Sequence, residues 1–318
     1  MAGISLKQHF KRCSLASLLL CLSSMVAAEL FFYPMQPVKV AEGTWYIEAV
    51  RESFTTKNGG AIANVAFLRT ADRVVVIDSG PSKRFGEQLR AKIVETTGQQ
   101  PTDLLLTHHH PDHSLGNQAF SDINIWALKE TDQQLRAEGN AFAESLYLMV
   151  GDWMRGTEVL PANMTLTPGP LFPDTDRLEV IALTGHTGAD LLLLDKQSGV
   201  LFASDMIFFQ RALATPHTPG IDVWLKDIAY LRTLEFDTII PGHGPVTSKE
   251  TALDQMEQYL IWLDTLLSDA AAQGLTMNEL RNSQIPQEFD SIALSRYELT
   301  RTIAHLYPDY ELRAFSKR

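Results

Sequence analysis

Short runs of β-branched and aromatic residues, separated by turn signals, predict two groups of strands. The first group comprises residues 44–50, 62–69, 73–77, 103–106 and 123–127, and the second comprises 178–183, 190–195, 200–203 and 238–240. Between and after them, apolar residues recur every three or four positions, which predicts helices. These cover 82–97, 129–154 with a break at Gly139-Asn140, 222–234, and several segments after residue 250. The pattern alone indicates a mixed α/β domain of layered sheets and helices.

Local signals mark several boundaries. Ser82 is a candidate N-cap for the first helix, and Gly274 is a candidate C-cap for the helix that covers residues 253–267. Two shorter helices are expected after Gly274, around 276–282 and 295–306. Two stretches predict no regular structure, namely the proline-rich 161–173 and a long loop at 207–222.

A dense polar cluster follows the apolar strand 103–106. It reads Thr107-His108-His109-His110-Pro111-Asp112-His113. Buried imidazoles and carboxylates need partners that replace lost hydration, and a divalent cation is such a partner. Zinc accepts both imidazole nitrogen and carboxylate oxygen. One compact ion can rarely use four ligands on so short a span, so the spacing favours two ions close together.

Three further candidate ligands each come directly after a strand-like run. His186 follows 178–183, Asp205 follows 200–204, and His243 lies in Pro241-Gly242-His243-Gly244 after 238–240. Loops that leave rigid strands are suitable places for a preorganised metal site. We therefore expect these residues to join the histidine cluster.

Together these motifs resemble the metallo-β-lactamase superfamily. The pattern is His-x-His-x-Asp-His, then a single His, a single Asp and a final Gly-His, and Asp78 in Val76-Ile77-Asp78-Ser79-Gly80 matches the family's first motif. The match runs from about residue 42 to 250. It implies a four-layer αββα sandwich, with extra helices at the C-terminus.

The resemblance implies a role for each ligand. His108, His110 and His186 would hold one metal ion, and Asp112, His113 and His243 a second, with Asp205 bridging the two. The implied cofactor is two zinc ions per chain, with iron as an alternative metal. Asp112 would also act in catalysis, by orienting the attacking water and helping to move protons. His109 is expected to point away from the metals, because side chains alternate along an extended chain.

The flanking segments complete the predicted organisation. Residues 1–28 read as a cleavable signal peptide, with Lys7, Lys11 and Arg12 before an uncharged apolar stretch and small residues at the end. An extended arm at 29–41 precedes the metallo-β-lactamase-like domain at 42–250, and 251–318 would form helices packed on that domain. The expected location is the periplasm, and no integral membrane segment would remain after leader cleavage.

The composition limits the classes of partner and ligand that the protein is expected to use. The leader holds three basic and no acidic residues, so the remainder has 24 basic and 38 acidic residues and a net charge of −14. Such a surface repels nucleic acid, which argues against a nuclease. Both cysteines, Cys13 and Cys21, lie in the leader, so the mature site would use only nitrogen and oxygen ligands. A small-molecule substrate is expected, and a homodimer is possible.

Two residues of the predicted loop 207–222 are candidate substrate contacts. Arg211 is suited to an anionic substrate group. His217 is suited to a substrate contact or to protonation of a leaving group. A surface position without function is the alternative for both.

Within the superfamily, the leader and the runs 59–65 and 76–82 are similar to the quinoprotein relay system zinc metallohydrolases. This implies a periplasmic hydrolase of an ester, thioester or lactam, accessory to a quinoprotein oxidation system. Two alternatives stay open. One is an oxidoreductase that resembles the persulfide dioxygenases, with a single iron. The other is a metal-binding accessory protein without enzyme activity.

Overall fold

The computed structural model describes residues 31–173 and 176–316. The leader expected at 1–28 lies outside these residues. The described residues from Met35 onward form one compact unit. Among the described residues, no helix combines the length and apolar character needed to cross a membrane.

Two sheets form the centre of the molecule. The first has seven strands in the order β1 to β7, namely Pro37–Ala41, Thr44–Ile47, Val65–Arg69, Val74–Ile77, Asp103–Leu105, Asn124–Leu128 and Met164–Leu166. The second has six strands in the order β13-β12-β11-β10-β9-β8, with β8 Gly169–Pro170, β9 Leu178–Leu183, β10 Asp190–Asp195, β11 Val200–Phe208, β12 Thr238–His243 and β13 Thr247–Ser248. Pairing is parallel from β4 to β7 and between β11 and β12, and antiparallel elsewhere.

The sheets pack face to face through alternating apolar residues. In the second sheet, Leu191 and Leu193 of β10 join a core with Val75 and Ile77 of β4 in the first. The intervening Leu192 and Leu194 instead contact the C-terminal helices. This period of two fits strands that are buried on both faces. The result is the expected αββα arrangement.

Helices flank the sheets. They are α1 Lys83–Thr97, α2 Pro111–Ser114, α3 Lys129–Val150, α4 Ile221–Thr233, α5 Lys249–Gln273, α6 Met277–Leu280, α7 Gln287–Asp290 and α8 Ser295–Ser316, with short 3₁₀ turns at Asn117–Phe120 and Gly151–Met154. Both predicted caps are confirmed. The Ser82 side chain accepts a hydrogen bond from the Phe85 N–H, and Gly274 ends α5 in the left-handed region at φ 73°. The extra helices after residue 250 are confirmed as well.

The predicted helix break at Gly139 is wrong, because α3 is continuous from Lys129 to Val150. A β-carbon at Gly139 would lie 2.8 Å from Val159 Cγ1. Any larger side chain would therefore have to displace Val159, which favours glycine at this position. The helical hydrogen bonds tolerate it at a modest cost of about 1 kcal/mol.

Several other boundaries differ from the sequence prediction. The expected arm at 29–41 includes β1, which pairs with β2, and the stretch expected to be irregular at 161–173 holds β7 and β8. Strand β11 continues to Phe208, so Asp205 lies within a strand and the following loop is shorter than predicted. Helix α8 continues past Pro308. The hydroxyls of Tyr307 and Tyr310 bond to Leu275 O and Asp264 Oδ1, and these contacts anchor the helix on both sides of the proline.

We predict that α8 is part of the cooperative core. Leu299 of α8 is fully buried, so Leu299→Ala should lower the free energy of unfolding by about 2–5 kcal/mol. Leu312 on the same helix is 67% exposed, and Leu312→Ala should change the stability by less than about 0.5 kcal/mol. Urea unfolding followed by circular dichroism measures both. Equal stabilities of the two variants would contradict the observed packing of α8.

Candidate metal centre

The polar cluster after β5 folds into a tight turn. His110 precedes the single-turn helix α2, which begins with Pro111, and the Ser114 N–H bonds back to the His110 carbonyl. Proline suits the first helical position because its missing N–H would be unpaired there. The turn brings His108, His110, Asp112 and His113 together, and all four are buried.

The second sheet supplies the other three predicted ligands. His186 lies in the turn between β9 and β10, Asp205 lies within β11, and His243 is the last residue of β12. A register shift between β11 and β12, with Ser204 at φ 45°, accompanies the close approach of these strands at Asp205. A β-carbon at Gly242 would lie 1.9 Å from Asp205 Oδ1. Only glycine fits there, which explains the Gly before His243.

Four of these residues form a first group, His108, His110, His186 and Asp205, whose ligand atoms all lie within 4.8 Å of one another. His186 Nε2 lies 3.1 Å from His110 Nδ1 and 3.4 Å from Asp205 Oδ2. His108 Nε2 lies 3.9 Å from the same oxygen. The three imidazoles therefore converge on one point beside the carboxylate.

The second group comprises Asp112, His113 and His243, again within 4.8 Å of one another. The Nε2 atoms of His113 and His243 lie 3.8 and 3.6 Å from Asp112 Oδ2. They also lie 3.2 and 3.3 Å from Asp205 Oδ1 and Oδ2, respectively. Asp205 thus stands between the two groups.

The donor set fits two divalent ions. Ligands of a tetrahedral zinc ion are about 3.3–3.6 Å apart, given bonds of about 2.0–2.2 Å. Most of the distances above are close to that range. Moreover, three buried atoms make no hydrogen bond to any described residue, namely His108 Nε2, His113 Nε2 and Asp205 Oδ1. Buried polar atoms without partners are costly, and a shared cation would satisfy them.

The electrostatics of the groups also suit metal ligation. Burial lowers the pKa of His186 to about 3 and holds the pKa values of His108 and His110 well below the usual value, so these imidazoles are neutral. Burial by itself would raise the pKa of Asp205, but His243 and His113 hold it well below the usual value. Burial would likewise lower the pKa of His113, but Asp205, Asp78 and Asp112 hold it well above. The carboxylates around His113 thus attract positive charge.

Neighbouring groups fix the orientation of the ligands. His113 Nδ1 bonds to Asp78 Oδ2 at 2.7 Å, and His243 Nδ1 bonds to Ile62 O at 2.7 Å, which leaves both Nε2 atoms directed at the site. Such partners fix the tautomer of a metal-bound imidazole. Asp190 accepts a hydrogen bond from the backbone N–H of His186 and so contacts its main chain rather than its ring. Burial raises the pKa of Asp190 to about 7.

A third group, His109, His110 and His217, lies beside the first. His109 belongs to neither of the first two groups, and its ring lies 5.0 Å from the ring of His110 and 4.9 Å from that of His217. Burial lowers the pKa of His109 to about 4. His217 Nδ1 lies 2.8 Å from His110 Nε2 and His217 Nε2 lies 3.2 Å from Glu138 Oε2, so neither ring nitrogen of His217 is free.

A cavity of about 200 Å³ opens above the two groups. Its floor includes His110, Asp112, Asp205 and His243, and its walls are largely apolar, with Phe54, Ile62, Phe142, Met149, Ala214 and Pro216. Both predicted substrate contacts, Arg211 and His217, also line it.

Arg211 is held by protein partners within the cavity wall. Its guanidinium donates to Ala212 O and to Glu298 Oε1 of α8. Arg301, also on α8, binds both oxygens of Glu298 and lines the cavity with a side chain that is 38% exposed. Arg301 is therefore the more accessible cation.

Sequence reasoning missed several supporting residues, because their partners are distant in the chain. Asn64 spans the two sheets, since its side chain donates to Pro241 O and Gly244 O and accepts from the Ala49 N–H. Glu138 and Arg301 belong to helices whose periodicity predicts only a packed face and a solvated face. No local motif distinguishes these three residues from ordinary surface or turn residues.

Comparison with known proteins identifies the family of this chain. The family model described as the metallo-beta-lactamase superfamily matches residues 58–243, more than half of the chain. Human acyl-coenzyme A thioesterase MBLAC2 is 24% identical over 169 residues, which cover 47% of this chain and 60% of that protein. Probable metallo-hydrolase YqjP of Bacillus subtilis is 23% identical over 237 residues, which cover 60% of this chain and 70% of that protein. The chain thus spans about 60% of the length of the human relative.

Solved structures share the fold. A metallo-β-lactamase from Erythrobacter litoralis superposes with a TM-score of 0.58 at 16% identity, over 73% of this chain and 98% of that one. The enzyme FIM-1 from Pseudomonas aeruginosa, in a mono-zinc form, gives a TM-score of 0.58 at 16% identity, over 73% and 97%. Given the family match and the shared αββα fold, the chain belongs to the metallo-β-lactamase superfamily.

Proposed function

We propose that the protein is a metal-dependent hydrolase that cleaves the acyl carbonyl of a small ester, thioester or lactam with an activated water. The observation that carries this proposal is the position of the two ligand groups at the floor of a cavity with apolar walls. The names of the relatives, a thioesterase and a probable metallo-hydrolase, support the same reaction class.

Two divalent ions, which we propose to be zinc, would be held by His108, His110 and His186 and by Asp112, His113 and His243, with Asp205 between them. Ions at such a site supply an activated water and positive charge for the developing oxyanion. Of the two carboxylates at the cavity floor, Asp205 lies between the ligand groups. Asp112 has one oxygen near His113 and His243 and faces the cavity, so it can orient the water and carry its proton to the leaving group.

The cavity walls suggest a substrate with an apolar acyl group and an anionic group. Arg211 and Arg301 share the single carboxylate of Glu298, so the wall keeps at least one positive charge. Burial raises the pKa of Glu298, which works against full compensation of the two arginines. Arg301 would receive the anionic group, since it is the more exposed of the two.

We also propose a periplasmic location and a link to a quinoprotein oxidation system. The support is the leader-like composition of residues 1–28 and the resemblance of the runs 59–65 and 76–82. Fractionation of cells that express the full chain tests the location. A cytoplasmic, uncleaved protein would overturn the proposed periplasmic location.

The protein should bind two zinc ions per chain. The convergence of Asp112, His113 and His243 favours a second ion over a single iron. Elemental analysis of purified protein should give about two zinc equivalents by the ligand count. Chelation should abolish esterase and thioesterase activity, and added zinc should restore it. A single iron per chain, with a vacant second site, would instead support the dioxygenase alternative.

Asp112 should be required for both metal retention and turnover. Asp112→Ala removes one ligand of the second group and the proposed proton carrier, so kcat should fall by about 10²–10⁴-fold, and bound zinc should approach one equivalent. His110→Ala should likewise abolish hydrolysis. The exposed Asp269→Ala is the matched control. Full activity in the Asp112→Ala or His110→Ala variant, with native circular dichroism, would defeat the assignment of the site.

Arg301 should select anionic substrates. Arg301→Met removes one charge-assisted hydrogen bond of about 1.5–3 kcal/mol, so kcat/KM for 4-nitrophenyl hemisuccinate should fall about tenfold or more. The neutral 4-nitrophenyl butyrate should be hydrolysed as before. Arg313→Met, an exposed change on the same helix, controls for the loss of charge. An equal loss for both esters would refute a charge-specific contact.

A further inference from the structure

Two side chains outside the ligand groups are lined up behind His110. His217, from the loop between β11 and α4, places Nδ1 2.8 Å from His110 Nε2. Glu138 of α3 places Oε2 3.2 Å from His217 Nε2. The three groups thus form a chain that runs from the first ligand group to a carboxylate that is 42% exposed.

The two nitrogens of His110 face different partners. Nδ1 lies 3.1 Å from His186 Nε2 and is directed at the first ligand group. Nε2 is directed at His217. In a neutral imidazole one nitrogen carries the proton and the other carries the lone pair. If His110 binds an ion through Nδ1, its proton is therefore on Nε2, and this N–H donates to His217.

The same reasoning then fixes the tautomer of His217. Its Nδ1 must accept the hydrogen bond from His110, so a neutral His217 carries its proton on Nε2. That nitrogen is the one facing the Glu138 carboxylate. Each donor in the chain therefore meets an acceptor, and the carboxylate terminates it.

We propose that Glu138 and His217 are a positioning pair for His110, which fixes its tautomer and raises its basicity as a metal ligand. The proposal rests on metal binding by the first group, as in the proposed function. Carboxylates commonly play this role directly toward metal-bound imidazoles. Here a second imidazole relays the effect, because His217 lies between His110 and the Glu138 carboxylate.

The surrounding structure holds the pair in place. Glu138 and Phe142 are one turn apart on α3, so they share a face of the helix. The Phe142 ring packs against three imidazoles, with centroids 5.6 Å from His109, 6.1 Å from His110 and 5.9 Å from His217. This apolar contact restricts the movement of His217 without competing for its hydrogen bonds.

The hydrogen bonds of His217 to His110 and Glu138 exclude two other roles that its location suggests. With Nε2–H committed to Glu138, His217 does not donate to a leaving group. It also does not offer a lone pair to a third ion beside His109, although His109 is buried and neither of its ring nitrogens makes a hydrogen bond within the described residues. A third metal ion bound to His217 would have to displace its hydrogen bond to His110 or the one to Glu138.

Nitrogen NMR of zinc-loaded protein with ¹⁵N-labelled histidine tests the tautomers directly. We expect the proton on Nε2 in both His110 and His217, with His110 Nδ1 shifted by the metal. His217→Gln identifies the His217 resonances. A His217 that carries its proton on Nδ1, or a third bound zinc equivalent, would overturn the proposal.

Metal affinity tests the energetic effect. His217→Phe should weaken binding of one zinc equivalent, in competition with a chelator, by about 10–100-fold, and should alter the visible spectrum of the cobalt-substituted protein. His217→Gln, which keeps an acceptor for His110, should recover part of this loss. Glu138→Gln should give a smaller loss, and Glu144→Gln, an exposed change on the same helix, should give none.

Unchanged affinity and cobalt spectrum in His217→Phe would refute the positioning role. These readouts do not depend on turnover. A protein that binds zinc with the expected tautomers but hydrolyses no ester or thioester would refute the proposed function and leave the pair intact. Conversely, if the protein hydrolyses substrate but His217→Phe does not weaken zinc binding, the positioning pair is refuted and the proposed function stands.

Discussion

The buried carboxylate of Asp78 is the constraint on which the metal centre depends. It accepts hydrogen bonds from the N–H and hydroxyl of Thr107 and contacts His113 Nδ1, while Thr107 also bonds to Ser204 of the opposite sheet. Asp78 itself has φ 64°, a conformation that costs energy for any residue except glycine. One side chain therefore fixes the end of β4, the loop after β5 and β11 relative to one another.

This constraint allows ligands from two sheets to meet within a few ångströms. The parallel strands β4, β5 and β12 direct their carboxyl ends to one edge, which is where ligand sites form in such sheets. Close contacts then bring the strands together, most clearly at Gly242, where any side chain would displace Asp205. The centre concentrates negative charge around His113 while His108, His110 and His186 stay neutral. Both features suit the binding of divalent metal ions.

The helices add specificity to a site that the sheets create. Helix α3 contributes Glu138 and Phe142 on one side of the cavity, and α8 contributes Glu298 and Arg301 on the other. Under our two proposals, Glu138 would position a metal ligand and Arg301 would contact the substrate.

The sequence by itself determined the family, most of the strand pattern and the seven candidate ligands, because these signals are local. His-x-His-x-Asp-His after an apolar run has no simple packing explanation, and Ser82 and Gly274 mark helix ends through their own backbone preferences. Only the tertiary structure decided that Asp205 lies inside β11, that α3 continues through Gly139, and that Glu138, His217 and Arg301 face the centre. Those outcomes depend on contacts between residues that are distant in the chain. A helical or loop residue carries the same local pattern whether it meets solvent or a metal ligand.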